Sequence, residues 1–137
     1  MLETKVVIED LPMEGDNKLE RRTVSEKGEM AQILNRTNEA FKHLVYWELD
    51  SAKSGQVRGH HYHERKIEHF YVLTGELELS LKDLESFASR KLLVKAGNRL
   101  AISPKVAHAF RSLTYCQVLE YSPELYDPSD THPYPPP

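Results

Sequence analysis

The chain is dominated by short apolar runs that turn residues interrupt, and this pattern restricts it to a fold built of strands. The runs are rich in Val, Leu, Ile and Tyr. Residues 76–84 alternate in polarity, with Leu77, Leu79 and Leu81 on one face. A period of two is typical of a strand with one buried side. No stretch predicts a long amphipathic helix, although residues 35–42 could hold one short helical turn.

The runs predict eleven strands, at 4–9, 21–25, 29–35, 42–50, 56–63, 66–74, 76–83, 90–95, 99–103, 106–113 and 115–122. Gly55, Gly75 and Gly97 stand between runs, where glycine most easily adopts the positive φ of a turn. Many short strands without an internal repeat predict an all-β sandwich or barrel. The 137 residues fit one such domain.

The composition changes near the C-terminus, where six of the eight prolines fall in residues 122–137. Proline has no N–H and cannot pair as a central strand. We therefore expect a β-barrel over residues 1–122 and an extended Pro-rich tail over residues 123–137. The end of the tail, residues 134–137, is expected to be frayed.

Charge and cysteine content exclude several classes of protein. The formal charge is −3, from 18 basic and 21 acidic residues, and neither sign forms a long run. This pattern predicts no nucleic-acid partner and no anionic membrane partner. The N-terminus has an early acid, Glu3, and only a short apolar run at residues 6–8, which indicates neither a signal peptide nor a membrane span. The single cysteine, Cys116, fits a reducing compartment, so we expect a cytoplasmic protein.

Four side chains in the middle of the chain form a candidate metal site. His61 and His63 are two residues apart in a predicted strand, so their imidazoles point to the same face. Glu68 begins the next run and can face the same pocket if the two strands pair, and His108 begins a later run. Three imidazoles and one carboxylate suit Mn, Fe, Co, Ni, Zn or Cu better than Ca or Mg. From the residues alone, a polar surface explains these side chains as well as a metal site does.

Two segments resemble the signature motifs of the cupin superfamily. Residues 55–75 match the first motif, a glycine, His-x-His, a glutamate and a second glycine at the permitted spacing, through Gly55, His61, His63, Glu68 and Gly75. Residues 97–112 are similar to the second motif through Gly97 and His108. Three positions depart from the proline, glycine and asparagine of that motif, namely Ser103, Lys105 and Ser112.

The resemblance implies an antiparallel jelly-roll barrel and a ligand set for one divalent transition metal ion, Mn, Fe, Ni, Co or Zn. The implied ligands are His61, His63, Glu68 and His108. It also implies a homodimer, because cupins of this size commonly pair through their edge strands. It does not choose a reaction, since the superfamily includes dioxygenases, isomerases, epimerases, decarboxylases and plain sugar binders.

Two shorter segments favour one branch of the superfamily. Residues 58–63 are similar to the Arg-Gly-x-His segment of cupins from nucleotide-sugar pathways, and residues 120–134 are similar to the ending of some of those domains. The resemblance implies an isomerase- or epimerase-type enzyme that acts on a small-molecule ligand, either a sugar derivative or a small hydroxy or keto acid.

This interpretation provides four candidate catalytic residues, Arg58, His60, Tyr62 and His69. The arginine would bind an anionic group, and the other three would move protons. The isomerases and epimerases of this branch usually act without a metal, in which case His61 or His63 would be the base. Two alternatives stay open: a non-haem metal-dependent dioxygenase, and a non-catalytic cupin that binds carbohydrate or another small molecule.

Overall fold

Strands make up almost all of the regular structure in the computed structural model, which describes residues 1–13, 19–50 and 56–135. The elements are, in chain order, helix α1 (Leu2–Lys5), β1 (Val6–Asp10), β2 (Arg22–Ser25), β3 (Gly28–Ala31), β4 (His43–Leu49), β5 (Val57–Tyr62), β6 (Glu68–Thr74), β7 (Glu76–Asp83), β8 (Ser89–Lys95), β9 (Asn98–Ile102), β10 (Val106–Ser112), β11 (Cys116–Ser122), a 3-10 turn (Pro128–Asp130) and β12 (His132–Pro133). Within these described ranges, no helix has the length and apolar character needed to cross a membrane.

Each of the eleven predicted strands corresponds to an observed one, although only β7 has the predicted bounds and most of the others differ by one or two residues at an end. Residues 4–5 belong to α1 instead of β1. The largest difference is in the run predicted at 29–35, which ends as a strand at Ala31, while the Asn35 N–H donates to the Glu20 carboxylate at 2.8 Å. Strand β12 was not predicted, and the predicted turn residue Gly55 lies outside the described residues.

The strands form two five-stranded antiparallel sheets and one separate hairpin. One sheet has the order β1-β9-β6-β11-β4, the other has the order β12-β5-β10-β7-β8, and β2 pairs with β3. Strands β4 to β11 are divided between the two sheets in the order of a jelly roll. The predicted all-β, antiparallel fold class is therefore confirmed.

A single apolar core lies between the two sheets. Strand β7 places Leu77, Leu79 and Leu81 inward, each at most 4% exposed, as its alternating pattern predicted. The facing sheet contributes Phe70 and Val118 to the same cluster. Full burial of one such side chain is worth about 1.5–3 kcal/mol, so this core holds the two sheets in one relative position.

The Pro-rich tail lies along the edge of the second sheet. Strand β12 pairs with β5, with His132 opposite Tyr62 and Pro133 opposite His61. A proline is tolerated here because β12 is an edge strand. The Tyr134 N–H donates to the His60 carbonyl at 2.7 Å, so the prediction of a frayed end is wrong for this residue. Residues 136–137 lie outside the described ranges.

Candidate functional site

A β-bulge in β5 separates the two adjacent histidines of this strand. His61 lies opposite His108, but Gly59 lies opposite Ala109, which makes His60 the extra residue. Gly59 and His60 have φ values of 107° and 56°. A Cβ on Gly59 would lie 2.7 Å from the His108 carbonyl oxygen, so only glycine lets β5 approach β10 this closely. The bulge leaves His61 in the interior beside His108.

The four candidate metal ligands converge at one end of β5, β6 and β10. One donor atom from each of His61, His63, Glu68 and His108 lies within 4.8 Å of all the others. Glu68 Oε1 is 2.7 Å from His63 Nε2 and 3.0 Å from His108 Nε2. The same oxygen is 3.8 Å from His61 Nε2. His61 is the most exposed of the four, whereas the other three are buried.

Backbone carbonyls orient the two buried imidazoles of this cluster. His63 Nδ1 lies 2.7 Å from the Asp130 carbonyl, and His108 Nδ1 lies 3.0 Å from the Val106 carbonyl. A carbonyl can only accept, so each ring carries a proton on Nδ1 and turns Nε2 toward Glu68. Such close contacts between Nε2 and Glu68 Oε1 need a positive charge, which is either a proton on the ring or a metal ion between the groups. With neutral rings, the Nε2 atoms and this carboxylate form a donor set that fits a divalent transition metal ion.

The electrostatics of the cluster favour added positive charge. Burial raises the pKa of Glu68, but the charge of His108 and the bonds from the three imidazoles outweigh burial and hold this pKa well below its usual value. Burial lowers the pKa of His108, but the charge of Glu68 raises it by more. The site therefore keeps an ionised carboxylate, whose charge can be balanced by a proton on an imidazole or by a metal ion.

A pocket of about 510 Å³ adjoins the cluster, with walls from β4, β5, β6, β10 and β11. Arg58 lines this pocket, as its predicted role requires. Its Nε donates to the Glu48 carbonyl at 3.1 Å, and its guanidinium carbon lies 5.7 Å from the centre of the Trp47 ring. These two contacts hold the planar guanidinium in one orientation on the pocket wall.

Glu120 also lines the pocket, although it is not among the predicted site residues. Trp47 Nε1 donates to Glu120 Oε1 at 3.1 Å, and Lys66 Nζ lies 3.9 Å from Oε2. Burial and the neighbouring charge of Glu68 raise the pKa of Glu120 to about 7. Its direction agrees with the alternation of β11, because the buried Val118 lies two residues away on the same face.

The other three candidate catalytic residues do not line this pocket: His60, Tyr62 and His69. His60 lines a separate groove on the outer face of the second sheet. Tyr62 stacks on His132, with ring centres 5.1 Å apart. His69 stacks on Tyr121 at 4.9 Å. Each of the three is next in sequence to a cluster residue, and neighbouring side chains of extended chain point to opposite faces.

The tail supplies a residue that the sequence reasoning missed. The Asp130 carbonyl accepts the Nδ1–H of His63, although 67 residues separate them. The only sequence signal was the similarity of residues 120–134 to the ending of some nucleotide-sugar cupins, and it assigned no role to this aspartate.

Comparison with known proteins identifies relatives by family and by fold. A family model described as the polysaccharide biosynthesis C-terminal domain matches residues 23–133. No curated protein sequence matches the chain significantly. A sugar 3,4-ketoisomerase from Thermoanaerobacterium thermosaccharolyticum in complex with TDP has a TM-score of 0.75 at 19% identity, with 96% of this chain and 88% of that one covered.

Two further solved structures have the same fold. The TDP-quinovose 3,4-ketoisomerase from Campylobacter jejuni has a TM-score of 0.72 at 16% identity, with 94% of this chain and 92% of that one covered. The dTDP-4-dehydrorhamnose 3,5-epimerase from Bacillus anthracis, with TDP and PPi bound, has a TM-score of 0.67 at 19% identity, with 81% of this chain and 73% of that one covered. These likenesses confirm the fold of the nucleotide-sugar cupins that the motifs predicted.

Proposed function

Because the chain belongs to the polysaccharide biosynthesis C-terminal domain family, we propose that it is an isomerase- or epimerase-type enzyme acting on a nucleotide-linked sugar. The observation that carries this proposal is the pocket in which an arginine, a buried carboxyl and the histidine cluster meet. Solved proteins of the same fold include a sugar ketoisomerase and an epimerase with TDP bound, which supports a nucleotide sugar as the substrate class.

Arg58 is the proposed anchor for the diphosphate of the substrate. Its Nε is already used by the Glu48 carbonyl, so the terminal guanidinium nitrogens are the ones offered to a phosphate. A planar fork held in this way suits two oxygens of one anionic group. The sugar would then extend from Arg58 toward His61 and Glu68, which line the same pocket.

We further propose that the cluster binds one divalent transition metal ion, Mn, Fe, Co, Ni or Zn. The ligands would be Nε2 of His61, His63 and His108 and a carboxylate oxygen of Glu68. Such an ion, when bound, polarises a carbonyl and an adjacent hydroxyl of a keto sugar. The chain contributes two imidazoles, His63 and His108, whose Nε2 atoms are already directed at the cluster, since both Nδ1–H groups are held by carbonyls.

Glu120 is the proposed residue for proton transfer. It lines the pocket and has no place in the ligand set. Trp47 Nε1 holds Oε1 by a hydrogen bond, which leaves Oε2 as the oxygen that can hold or deliver a proton. Isomerisation and epimerisation both require a proton to leave one carbon and return to a carbon of the sugar, and one carboxyl can serve in both directions.

The substrate proposal is tested with the TDP-4-keto-6-deoxyglucose that is bound in one ketoisomerase of this fold. In D₂O, the wild type is expected to introduce deuterium into the sugar without consuming oxygen, as mass spectrometry and an oxygen electrode would show. Glu120→Gln should reduce exchange by about 10²–10⁴-fold. Oxygen uptake would instead support a dioxygenase, and binding without exchange would support a non-catalytic cupin.

Arg58 and Arg111 provide a matched pair for the diphosphate contact. Both are exposed, but Arg111 lies beside Glu78 at 3.3 Å and lines the outer groove. Arg58→Ala should lose a charged hydrogen bond worth about 1.5–3 kcal/mol, which corresponds to roughly 10–100-fold weaker binding of TDP. Calorimetry measures this difference. Arg111→Ala should bind TDP within twofold of the wild type. Equal binding by both variants would remove Arg58 from the proposed site.

The metal proposal is tested by elemental analysis of protein purified without a histidine tag. About one transition metal per chain is expected in the wild type. The double variant His61→Ala plus His63→Ala should lose it. A wild type that takes up no metal after anaerobic reconstitution would move the reaction to a metal-free mechanism in which one of these histidines is the base.

We also propose that the protein acts in the cytoplasm as a homodimer. The location is supported by the single cysteine, which fits a reducing compartment. The dimer follows from the edge strands, whose unpaired backbone groups favour pairing with a second copy. Sedimentation at several concentrations tests the dimer, and a monomer at every concentration would contradict it.

A further inference from the structure

The buried carboxylate of Asp130 holds the connection between β5 and β6. Asp130 is only 3% exposed. Its Oδ1 accepts the N–H of Glu64 at 2.9 Å, and its Oδ2 accepts the N–H groups of Arg65 at 3.2 Å and Lys66 at 3.1 Å. These residues lie outside both strands, so this one side chain satisfies three backbone donors that no ladder reaches.

The backbone carbonyl of Asp130 acts on the neighbouring histidine. His63 directly precedes the three amides bound by the carboxylate, and its Nδ1 is 2.7 Å from this carbonyl. The side chain of Asp130 therefore holds the loop at residues 64–66, and its main-chain carbonyl holds the His63 ring. Loss of the carboxylate would free the loop, and the distance between the carbonyl and the ring would no longer be fixed.

The tail is itself anchored where Asp130 makes these contacts. The Asp127 side chain accepts the Ser129 N–H at 3.0 Å and caps the 3-10 turn. Asp127 Oδ2 also lies 2.8 Å from Arg65 Nη2, in the same loop. Beyond the turn, β12 pairs with β5. Asp130 is thus fixed on both sides, as a residue that positions another group must be.

We propose that Asp130 is a positioning residue of the candidate site. Its carboxylate fixes the backbone of residues 64–66, and its carbonyl holds the Nδ1–H of His63, which keeps Nε2 directed at Glu68. The consequence for metal affinity rests on the proposed metal function, whereas the consequence for the His63 Nδ1–H concerns the metal-free protein. The C-terminal tail is then part of the site.

The first test measures the Nδ1 proton of His63 in metal-free protein by NMR. The wild type should show a slowly exchanging, hydrogen-bonded Nδ1 proton. Asp130→Asn turns an NH₂ group toward backbone donors and should make this proton exchange rapidly with water. Glu124→Gln is the matched control, because it makes the same charge change on an exposed residue of the tail and should leave the spectrum unchanged. An unchanged Nδ1 proton in Asp130→Asn would overturn the proposal.

The second test measures Co²⁺ affinity by competition with a chelator. Loss of a group that orients a metal-binding histidine typically weakens binding 10–100-fold, and this range is expected for Asp130→Asn. Glu124→Gln should bind within twofold of the wild type. If the wild type binds no Co²⁺ but the Nδ1 proton of His63 still depends on Asp130, the metal proposal fails and the positioning role stands. If Asp130→Asn binds Co²⁺ as the wild type does, the positioning role fails alone.

A third measurement needs no variant and covers the case in which Asp130→Asn does not fold. Hydrogen exchange in the wild type should show protected amides at Glu64, Arg65 and Lys66, although these residues lie outside the strands. Exchange of all three at the rate of an unstructured loop would show that the carboxylate does not hold them, and the proposal would be wrong.

Discussion

Replacement of Gly59 by alanine tests whether glycine is required there by its backbone conformation or by the close approach of a neighbouring strand. Gly28→Ala is the matched control. The two residues have nearly equal φ values, +107° and +105°. A Cβ at Gly28 would meet nothing within 4 Å, whereas a Cβ at Gly59 would lie 2.7 Å from the His108 carbonyl oxygen and 3.1 Å from Ala109 Cα. The backbone conformation therefore penalises alanine at both positions, and crowding does so only at Gly59.

These two effects determine the expected losses in the free energy of unfolding. An unfavourable φ costs about 1–3 kcal/mol, and overpacking against a fixed backbone costs about 1–3 kcal/mol more. We therefore expect a loss of about 1–3 kcal/mol for Gly28→Ala and about 2–6 kcal/mol for Gly59→Ala. Urea unfolding of the two variants and the wild type measures the difference, provided that the m values agree.

The same comparison links the bulge to the site. A Cβ on Gly59 would push the His108 backbone away, so Gly59→Ala should also weaken Co²⁺ binding by about tenfold. Gly28 lies in the separate β2–β3 hairpin, and Gly28→Ala should bind Co²⁺ as the wild type does. Equal losses of stability in the two variants, with unchanged Co²⁺ affinity, would refute the argument that close approach of β5 to β10 requires glycine.

Three further predictions concern stability and pH. Lys105 has a φ of 62°, where glycine is unstrained, so Lys105→Gly should raise stability by about 0.5–1 kcal/mol in calorimetry, and a lower melting temperature would contradict this. A hydrogen bond from Arg36 lowers the pKa of Glu20 to about 2 from its ordinary 4.5, so this carboxylate adds stability above pH 4.5 that is lost as the pH falls toward 2. Urea unfolding across this range should show a weaker pH dependence for Glu20→Gln. Metal retention after dialysis should fall below about pH 6.5, because imidazoles bind metal only when neutral, and flat retention to pH 5 would contradict histidine ligation.

Local sequence patterns were sufficient for most of the fold. The alternation of Leu77, Leu79 and Leu81 predicts a strand and its buried face, and both are observed. This works because the period of two is a property of the strand backbone itself. The same rule, with the motif resemblance, selected four side chains that the fold brings within 4.8 Å of one another.

The rule failed where the chain departs from regular pairing or where a short segment takes its structure from a neighbour. Pro133 and His132 form a strand only because β5 offers an unpaired edge. Arg58 and His61 are three residues apart, so alternation places them on opposite faces, but the bulge between them lets both line the pocket. A bulge depends on the approach of two strands that are distant in sequence, so the order of residues within one strand does not reveal it.

By itself the sequence determined the strands and their buried faces, because spacing along one strand sets the direction of each side chain. Resemblance to known motifs added the four candidate metal ligands. Tertiary structure alone decided which groups surround that cluster. Glu120 reaches the pocket from β11, and the Asp130 carbonyl reaches His63 across 67 residues of chain. Such contacts depend on sheet order and register, which result from packing the whole core and not from local preference.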